Sequence, residues 1–152
     1  MRSVKIKDLE NMIGQETGVS DWLAVYQDRV DQFADVTEDH QFIHVDVEKA
    51  KKTPFETTIA HGFLSLSLLS KFAEQCSLNI EDVAMGLNYG FDKVRFLNPV
   101  KTGSKIRGRF VLKGLIEKNP SQYLLTYSVI VEIKDETKPA LVADWLVMQV
   151  VN

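Results

Sequence analysis

Asp39 and His44 are the residues whose types and spacing first point to chemistry. They lie five residues apart in the segment TEDHQFIHVD, which is dense in polar residues and has no sustained periodicity. A carboxylate and an imidazole on one irregular segment can act on the same water molecule, removing one proton and delivering another near neutral pH. The alternative is a structural pair in which Asp39 is a turn residue, so the motif needs a second element.

Gly62 supplies that second element, in the segment IAHGF at the start of a predicted helix. Glycine lets the backbone approach a ligand closely, and the unpaired N–H groups of a first helical turn can hold a developing oxyanion. The alternative is that Gly62 only permits tight packing of the helix start. Combined with Asp39 and His44, the oxyanion interpretation predicts addition of water to a carbon–carbon double bond that is conjugated to a thioester.

The remaining histidines and their neighbours are weaker candidates. His40 and His44 are four residues apart, but no cysteine or further Glu–His pair completes a recognised metal site with Asp39 and His61. We therefore expect no metal and no other cofactor, and we expect His40 to face solvent. The candidate substrate contacts are Gln41, His61, Phe63, Asn88 and Tyr89.

The elements that must position these residues follow from hydrophobic periodicity. A helix is predicted from His61 to Cys76, and because apolar residues surround nearly its whole circumference, it is expected to be buried on all sides. Ahead of it, the pattern predicts a strand at Asp21–Tyr26, a helix at Asp28–Val36 and a short helix near Val47–Lys51. After it, turn residues separate four predicted strands: Met85–Phe96, Ser104–Glu117, Gln122–Lys134 and Pro139–Val151.

Long strands combined with one central apolar helix predict an α+β architecture. We expect a single hot-dog domain over residues 1–152, in which a curved antiparallel sheet wraps around the long central helix. A lone unit of this kind leaves sheet edges and helix ends uncovered. A homodimer is therefore expected.

The composition excludes several classes of function. The chain has 152 residues, 45% hydrophobic and 26% charged, which is typical of a globular protein. A formal net charge of −3 argues against nucleic acid as a partner, and no apolar run approaches the ~20 residues that cross a membrane. The start MRSVKIKDLE lacks the apolar core of a signal peptide, and the single Cys76 forms no disulfide within the chain. We expect a cytoplasmic protein without a membrane role.

Three ordered blocks carry a resemblance to a known family: FADVTEDHQFIHVD, TIAHGFLSLSLL and GLNYGFDKVRFLNPVKTGS. From about Asp21 to the C-terminus the chain resembles the MaoC-like dehydratases, the (R)-specific enoyl-CoA hydratase family, and within it the branch similar to nodulation protein N. The resemblance implies a dimeric hot-dog fold and reversible hydration of trans-2-enoyl-CoA to (R)-3-hydroxyacyl-CoA. It also implies that Asp39 and His44 activate the water and that the backbone N–H of Gly62 holds the enolate oxygen.

On this basis we predict syn hydration, in which Asp39 takes a proton from water while His44 orients the water and supplies the proton to the α-carbon. The chain departs from the family motif Gly-Asp-x-Asn-Pro-Leu/Ile/Val-His at three positions. Glu38 replaces the glycine, Gln41 the asparagine and Phe42 the proline. The first change predicts a different local turn, and the loss of proline removes a preset φ.

Two alternatives remain from the sequence. A hot-dog acyl-CoA thioesterase shares the fold and substrate type, but the predicted helix has no carboxylate between His61 and Lys71. A non-catalytic module that binds acyl thioesters would not need both Asp39 and His44. The expected partner is an acyl-CoA thioester or an acyl-carrier-protein thioester.

Overall fold

The computed structural model describes residues 2–152, and its longest elements lie where the turn residues of the sequence place them. The helices are α1 (Ile6–Glu10), α2 (Gln27–Thr37), α3 (Phe42–Val45), α4 (Val47–Ala50), α5 (Gly62–Ser67) and α6 (Leu69–Cys76). The strands are β1 (Arg2–Val4), β2 (Glu16–Val19), β3 (Leu23–Ala24), β4 (Leu78–Ile80), β5 (Val83–Phe96), β6 (Lys105–Asn119), β7 (Gln122–Ile133) and β8 (Leu141–Val151). The four predicted long strands are confirmed as β5 to β8.

The main sheet is antiparallel, with the strand order β2-β6-β7-β8-β5 and with β3 beside β2 on β6. Strands β6 and β7 are joined by the two residues Pro120 and Ser121. Register shifts interrupt the β5–β8 ladder at three places and the β6–β7 ladder at two. Such bulges bend a strand and increase its twist, which explains how the sheet curves around the helices.

Helix α6 lies directly against this sheet because two glycines let it approach. A Cβ atom on Gly108 of β6 would lie 2.9 Å from the Cβ of Phe72, and one on Gly18 of β2 would lie 2.9 Å from the Cα of Cys76. The buried Phe72 ring belongs to the same core as Phe110 and Tyr127 of the sheet. The helix therefore sits at backbone contact distance over β2 and β6, and this contact fixes the direction of the preceding helix α5.

The central helix differs from the prediction in two respects. It is interrupted at Leu68, which keeps right-handed helical angles but separates α5 from α6. It is also not buried on all sides, since the face that carries Phe63, Ser67 and Ser70 is exposed. The prediction of a helix buried on all sides is wrong for this face, because no strand of residues 2–152 covers it.

The N-terminal half differs from the prediction in smaller ways. The predicted strand at Asp21–Tyr26 is reduced to the two residues of β3, while the predicted helix at Asp28–Val36 is confirmed as α2. The short helix near Val47 is present as α4, and a further helical turn, α3, comes just before it. None of the helices in residues 2–152 is long and apolar enough to cross a membrane.

Candidate active site

Asp39 lies in the tight connection between α2 and α3. Helix α2 ends at Thr37, Glu38 turns the chain with a φ of 60°, and Gln41 caps the start of α3. The backbone N–H of Gln41 donates to Asp39 Oδ1 at 3.3 Å. This local bond holds the Asp39 carboxylate near the start of α3, although its side chain remains about half exposed.

The departures from the family motif lie in this connection. Glu38 adopts the left-handed conformation that glycine adopts most easily. Phe42 occupies the first position of α3, where proline is favoured because the N–H of that residue has no partner within the helix. Glu38 and Phe42 therefore occupy positions that glycine and proline, the residues of the family motif, would favour intrinsically.

We expect Glu38→Gly to raise the free energy of unfolding by about 0.5–1 kcal/mol. A left-handed conformation costs a non-glycine residue about 1–2 kcal/mol, and the greater chain entropy of glycine offsets part of that gain. Denaturant unfolding measures the change. Glu38→Ala is the matched control, because it removes the same charge and keeps the strain; equal stability of the two variants would contradict the strain at Glu38.

His44 is buried in α3 and held at both its ring and its backbone. Its Nδ1 lies 2.7 Å from the carbonyl oxygen of Ile59, and its own carbonyl accepts a hydrogen bond from Nε2 of Gln27 at 2.7 Å. Because a carbonyl only accepts, Nδ1 carries the proton and Nε2 of the neutral ring is left as an acceptor. Burial lowers the pKa of His44 below its usual value, and the neighbouring His61 lowers it further, whereas the Ile59 carbonyl and Asp39 raise it.

The lowered pKa of His44 predicts a loss of stability in mild acid. The unfolded chain binds a proton at this histidine near pH 6.5, while the folded chain binds it only at lower pH, so the free energy of unfolding falls as the pH drops below about 6.5. We expect a smaller fall between pH 7 and pH 5 in His44→Asn, measured by denaturant unfolding. The exposed His40, whose pKa is raised by its hydrogen bond to Asp35, acts in the opposite direction but is common to both proteins. Equal slopes would show that His44 is not held neutral.

His61 connects the two halves of the site. Its ring stacks on that of His44 at 3.8 Å between centroids, and its Nε2 donates to the backbone carbonyl of Asp39 at 2.9 Å. Its Nδ1 is buried without a hydrogen-bond partner among residues 2–152. His61 therefore positions the Asp39 loop over His44. The sequence made His61 a candidate substrate contact and did not indicate that it connects Asp39 with His44.

Asp39, His44 and His61 are also the residues that come closest to a metal-ligand set. One ligand atom from each lies within 4.8 Å of the others. The two imidazole rings are stacked with 25° between their planes, however, so their in-plane lone pairs run side by side instead of meeting at one point. A zinc ion about 2.0–2.1 Å from each nitrogen needs converging lone pairs, and this arrangement does not provide them.

A cleft of about 290 Å³ lies beside this cluster and is lined by His44 and Gly62. The first hydrogen bonds of α5 run from the N–H groups of Leu64 and Ser65 to the carbonyl of His61, which leaves the N–H of Gly62 outside the helical pattern. A Cβ on Gly62 would lie 3.0 Å from the ring of Phe96, which also lines the cleft. Both interpretations of Gly62 thus find support, since the residue packs tightly and also faces the cleft.

The other sequence candidates are distributed around this centre. Gln41 is exposed and contributes its backbone N–H to Asp39, and Phe63 is exposed with its ring edge against Phe96. Asn88 and Tyr89 lie on β5 and do not line the cleft, because bulges and the strand direction carry them away from Gly62 toward the other end of the helix. Asn88 and Tyr89 stay predicted substrate contacts, which the structure does not bring to the cluster of Asp39 and His44.

The sequence did not indicate Ile59, Gln27 or Phe96 as part of the site. Ile59 contributes a main-chain oxygen and Phe96 lies at the end of a strand, so neither residue type marks a role. Gln27 accepts a hydrogen bond from the Thr58 hydroxyl while donating to the carbonyl of His44. These contacts depend on tertiary structure and have no local sequence signal. The one related signal was Asn98-Pro99, which indicates that the strand ends just after Phe96.

A curved antiparallel sheet around a central helix is the hot-dog architecture, and in this chain an Asp–His pair lies beside the start of that helix. The chain belongs to the MaoC-like dehydratase family: the sequence profile described as "MaoC like domain" matches residues 8–133.

Two similar proteins and one similar solved structure support this family assignment. The chain is 51% identical over 147 residues to nodulation protein N of Rhizobium leguminosarum bv. viciae, covering 96% of this chain and 91% of that protein. It is 42% identical over 145 residues to 3-hydroxyacyl-thioester dehydratase Z of Mycobacterium tuberculosis (strain ATCC 25618 / H37Rv), covering 95% of each. The solved (R)-hydratase from A. caviae involved in PHA biosynthesis superposes with a TM-score of 0.73 at 24% identity, over 89% of this chain and 94% of that one, and establishes the hot-dog fold.

Proposed function

We propose that the chain catalyses the reversible hydration of trans-2-enoyl-CoA thioesters to (R)-3-hydroxyacyl-CoA. The observation that carries the proposal is the pairing of Asp39 and His44, whose side-chain atoms lie within 4.8 Å of each other beside a cleft that Gly62 also lines. Two hydrogen bonds of about 2.8 Å span such a separation, so one water molecule can contact both side chains. The hydratase and dehydratase names of the relatives support this reaction type.

The proton path follows from the tautomer of His44. Since Nδ1–H is donated to Ile59, Nε2 accepts a hydrogen bond from the water while the Asp39 carboxylate accepts the other. As the water oxygen bonds to the β-carbon, its proton passes to Nε2 and Asp39 stabilises the imidazolium. Nε2 then gives this proton to the α-carbon on the same face. In this path His44 accepts the first proton, where the sequence alone assigned it to Asp39.

The N–H of Gly62 holds the charge that develops during this addition. When the oxygen adds to the β-carbon, the electrons of the double bond move toward the thioester and negative charge collects on its carbonyl oxygen. A preorganised N–H donor in a cleft stabilises this enolate more than it stabilises the neutral thioester, which is the condition for lowering the barrier. The protonation of the α-carbon then returns the charge and completes the addition.

The proposed reaction is tested by following the loss of enoyl absorbance when trans-2-butenoyl-CoA and longer enoyl-CoA thioesters are mixed with the protein. The same mixtures are assayed for free thiol. Hydration without thiol release supports the proposal, whereas thiol release would identify a thioesterase. Tight binding of the thioester with neither product would identify a binding module, and a parallel series with carrier-protein thioesters separates the two possible carriers.

We propose that the active form is a homodimer joined through β5. Within residues 2–152 this edge strand pairs only with β8, and its exposed apolar side chains include Met85, Leu87, Tyr89 and Phe91. A long apolar edge of this kind is normally covered. A second copy covers it with the same strand, which fits the symmetry of most oligomers. We place this dimer in the cytoplasm, where acyl-CoA thioesters occur.

Tyr89→Asp is expected to convert the dimer to a monomer, because it places a charge at the centre of the proposed interface. Light scattering after size exclusion should give twice 17.3 kDa for the wild type and 17.3 kDa for the variant. Tyr26→Asp is the matched control, since Tyr26 is similarly exposed but lies away from β5 at the start of α2. A monomeric wild type, or a dimeric Tyr89→Asp variant, would contradict the interface.

A further inference from the structure

A second cavity, of about 450 Å³, lies at the far end of the central helix from Gly62. Its walls are mostly apolar and come from α6, β5 and β8, including Ala73, Leu87, Trp145 and Val147. Leu87 also lies on the β5 edge of the proposed dimer, so the second copy borders the cavity there. The cavity is larger than the cleft beside His44 and takes no part in the proposed proton transfers.

The polar end of this cavity is formed by Ser77, Asn79, Tyr127 and Gln149. Ser77, Tyr127 and Gln149 are each more than nine-tenths buried. The amide of Gln149 is fully used, because it bonds the backbone on both sides of Asn79, at Leu78 and Ile80.

The two hydroxyl groups at this end are not fully used. The Tyr127 hydroxyl accepts the N–H of Leu78 at 3.0 Å, so its own proton is still available for donation. Ser77 Oγ lies close enough to the Tyr127 hydroxyl to lower the pKa of Tyr127, but it meets hydrogen-bond geometry with no atom of residues 2–152. Burial raises the pKa of Tyr127 to about 12, so this phenol stays protonated near neutral pH. A buried hydroxyl without a partner is costly unless a ligand or a water satisfies it.

The central helix and β5 both extend from the cleft beside His44 to this cavity. Gly62, Leu66, Ala73 and Ser77 recur at the spacing of one helix face, and Ser77 lies about 22 Å beyond Gly62 at 1.5 Å per residue. Strand β5 runs in the opposite direction, from Met85 at the cavity to Phe96 at the cleft. A smaller cavity of about 170 Å³ lies between them and shares Ser70, Asn88 and Trp145 with the large one.

We propose that this cavity binds the distal end of the acyl chain and that Ser77 and Tyr127 recognise a neutral oxygen there, so that the preferred substrates are enoyl thioesters with a hydroxyl group near the end of the acyl chain. The inference rests on the proposed hydration at Asp39 and His44. A hydroxyl both donates and accepts, which matches the free proton of Tyr127 and the free Oγ of Ser77. A terminal carboxylate is disfavoured, because none of the described residues that line the cavity is charged.

The experiment measures binding of saturated acyl-CoA thioesters, which have no double bond to hydrate, by isothermal titration calorimetry. Chains of increasing length are compared in sets of three that end in a methyl, a hydroxyl or a carboxylate group. At the length that reaches Ser77, the hydroxyl chain is expected to bind about three- to tenfold more tightly than the methyl chain, the size of one neutral hydrogen bond. The carboxylate chain is expected to bind more weakly than both.

Ser77→Ala is the decisive variant. Its Oγ has no partner to lose, so the fold is expected to tolerate the change, and the preference for the hydroxyl chain should vanish while affinity for the methyl chain is kept. Ser128→Ala is the matched control, because Ser128 follows Tyr127 in β7 and points to the other face of the sheet. Tyr127→Phe provides a second variant with the same expected loss of preference.

The two proposals fail in different ways. Equal or better binding of the methyl chain at every length, no binding of any saturated thioester, or a preference that survives Ser77→Ala would overturn the inference about the acyl end. If the hydroxyl preference is present but no enoyl thioester is hydrated, the hydratase proposal fails and the recognition of the distal oxygen stands. Hydration of methyl and hydroxyl chains at equal kcat/KM would leave the hydratase proposal standing without this subsite.

Discussion

Asp39→Asn lowers kcat for the hydration of enoyl-CoA by about 10²–10⁴-fold, the usual contribution of a positioned acid–base group. The amide keeps the shape of the side chain, and its oxygen can still accept the N–H of Gln41, so the loop is expected to stay in place. It cannot stabilise a protonated His44, however, because it carries no negative charge. KM should change little, since the proposed contact of Gly62 with the thioester is the same in both proteins.

Asp35→Asn is the matched control for this prediction. Asp35 lies in α2, four residues before Asp39, is exposed, and pairs with His40 at 2.9 Å instead of with the buried histidines. Its variant should retain the wild-type rate. Steady-state kinetics with one enoyl-CoA substrate compares the three proteins, and an Asp39→Asn variant that is as fast as Asp35→Asn would remove Asp39 from the mechanism.

Phe72→Ala is expected to lower the free energy of unfolding by about 3–5 kcal/mol, the range measured when a buried aromatic side chain is truncated. Phe72 is almost fully buried, and its Cβ approaches the backbone of β6 at Gly108 so closely that the strand leaves no room for a second side chain. The sheet cannot move inward to fill the space that the ring leaves, because such a movement would disturb the pairing of β6 with its neighbouring strands. A cavity would remain between α6 and the sheet.

Phe63→Ala separates this effect from the mere loss of an aromatic ring. Phe63 is on the same central helix but is 66% exposed, so its truncation should cost less than about 1 kcal/mol. Denaturant unfolding at pH 7 gives both values. Equal destabilisation by the two variants would mean that α6 is not seated on the sheet as described.

The sheet was the part of the fold that the sequence predicted best. Strands β6, β7 and β8 are long and are separated by residues such as Pro120 and Asp135 that favour turns, so local pattern determines both their number and their limits. Strand pairing then follows from the short connections, because neighbouring strands joined by tight turns are antiparallel.

The exposure of the central helix could not be predicted in the same way. Apolar residues such as Phe63 and Leu66 indicate that a surface is to be covered, but they do not say whether the cover comes from this chain or from another. In the structure the face with Phe63 lies beside the exposed edge strand β5. The sequence pattern is thus consistent with the proposed dimer, which a single chain does not display.

The candidate site was predicted in its residue types and only partly in its geometry. The spacing of Asp39 and His44 and the position of Gly62 were readable because each lies in a short local motif. The stacking of His61 on His44 and the carbonyl of Ile59 that fixes the tautomer are tertiary contacts between segments far apart in the chain. A backbone carbonyl is present in every residue, so no residue type in the sequence marks the carbonyl that binds His44. The roles of the three motif residues therefore stay predictions until they are measured.

The most direct measurement of the central claim is the stereochemistry of the reverse reaction. Separate (R)- and (S)-3-hydroxybutyryl-CoA samples are incubated with the wild-type protein, and the appearance of the conjugated enoyl thioester is followed by its absorbance. The proposed reaction predicts dehydration of the (R) thioester alone, slowed about 10²–10⁴-fold in Asp39→Asn and unaccompanied by free thiol. Dehydration of the (S) thioester, or release of thiol in place of an enoyl product, would contradict it.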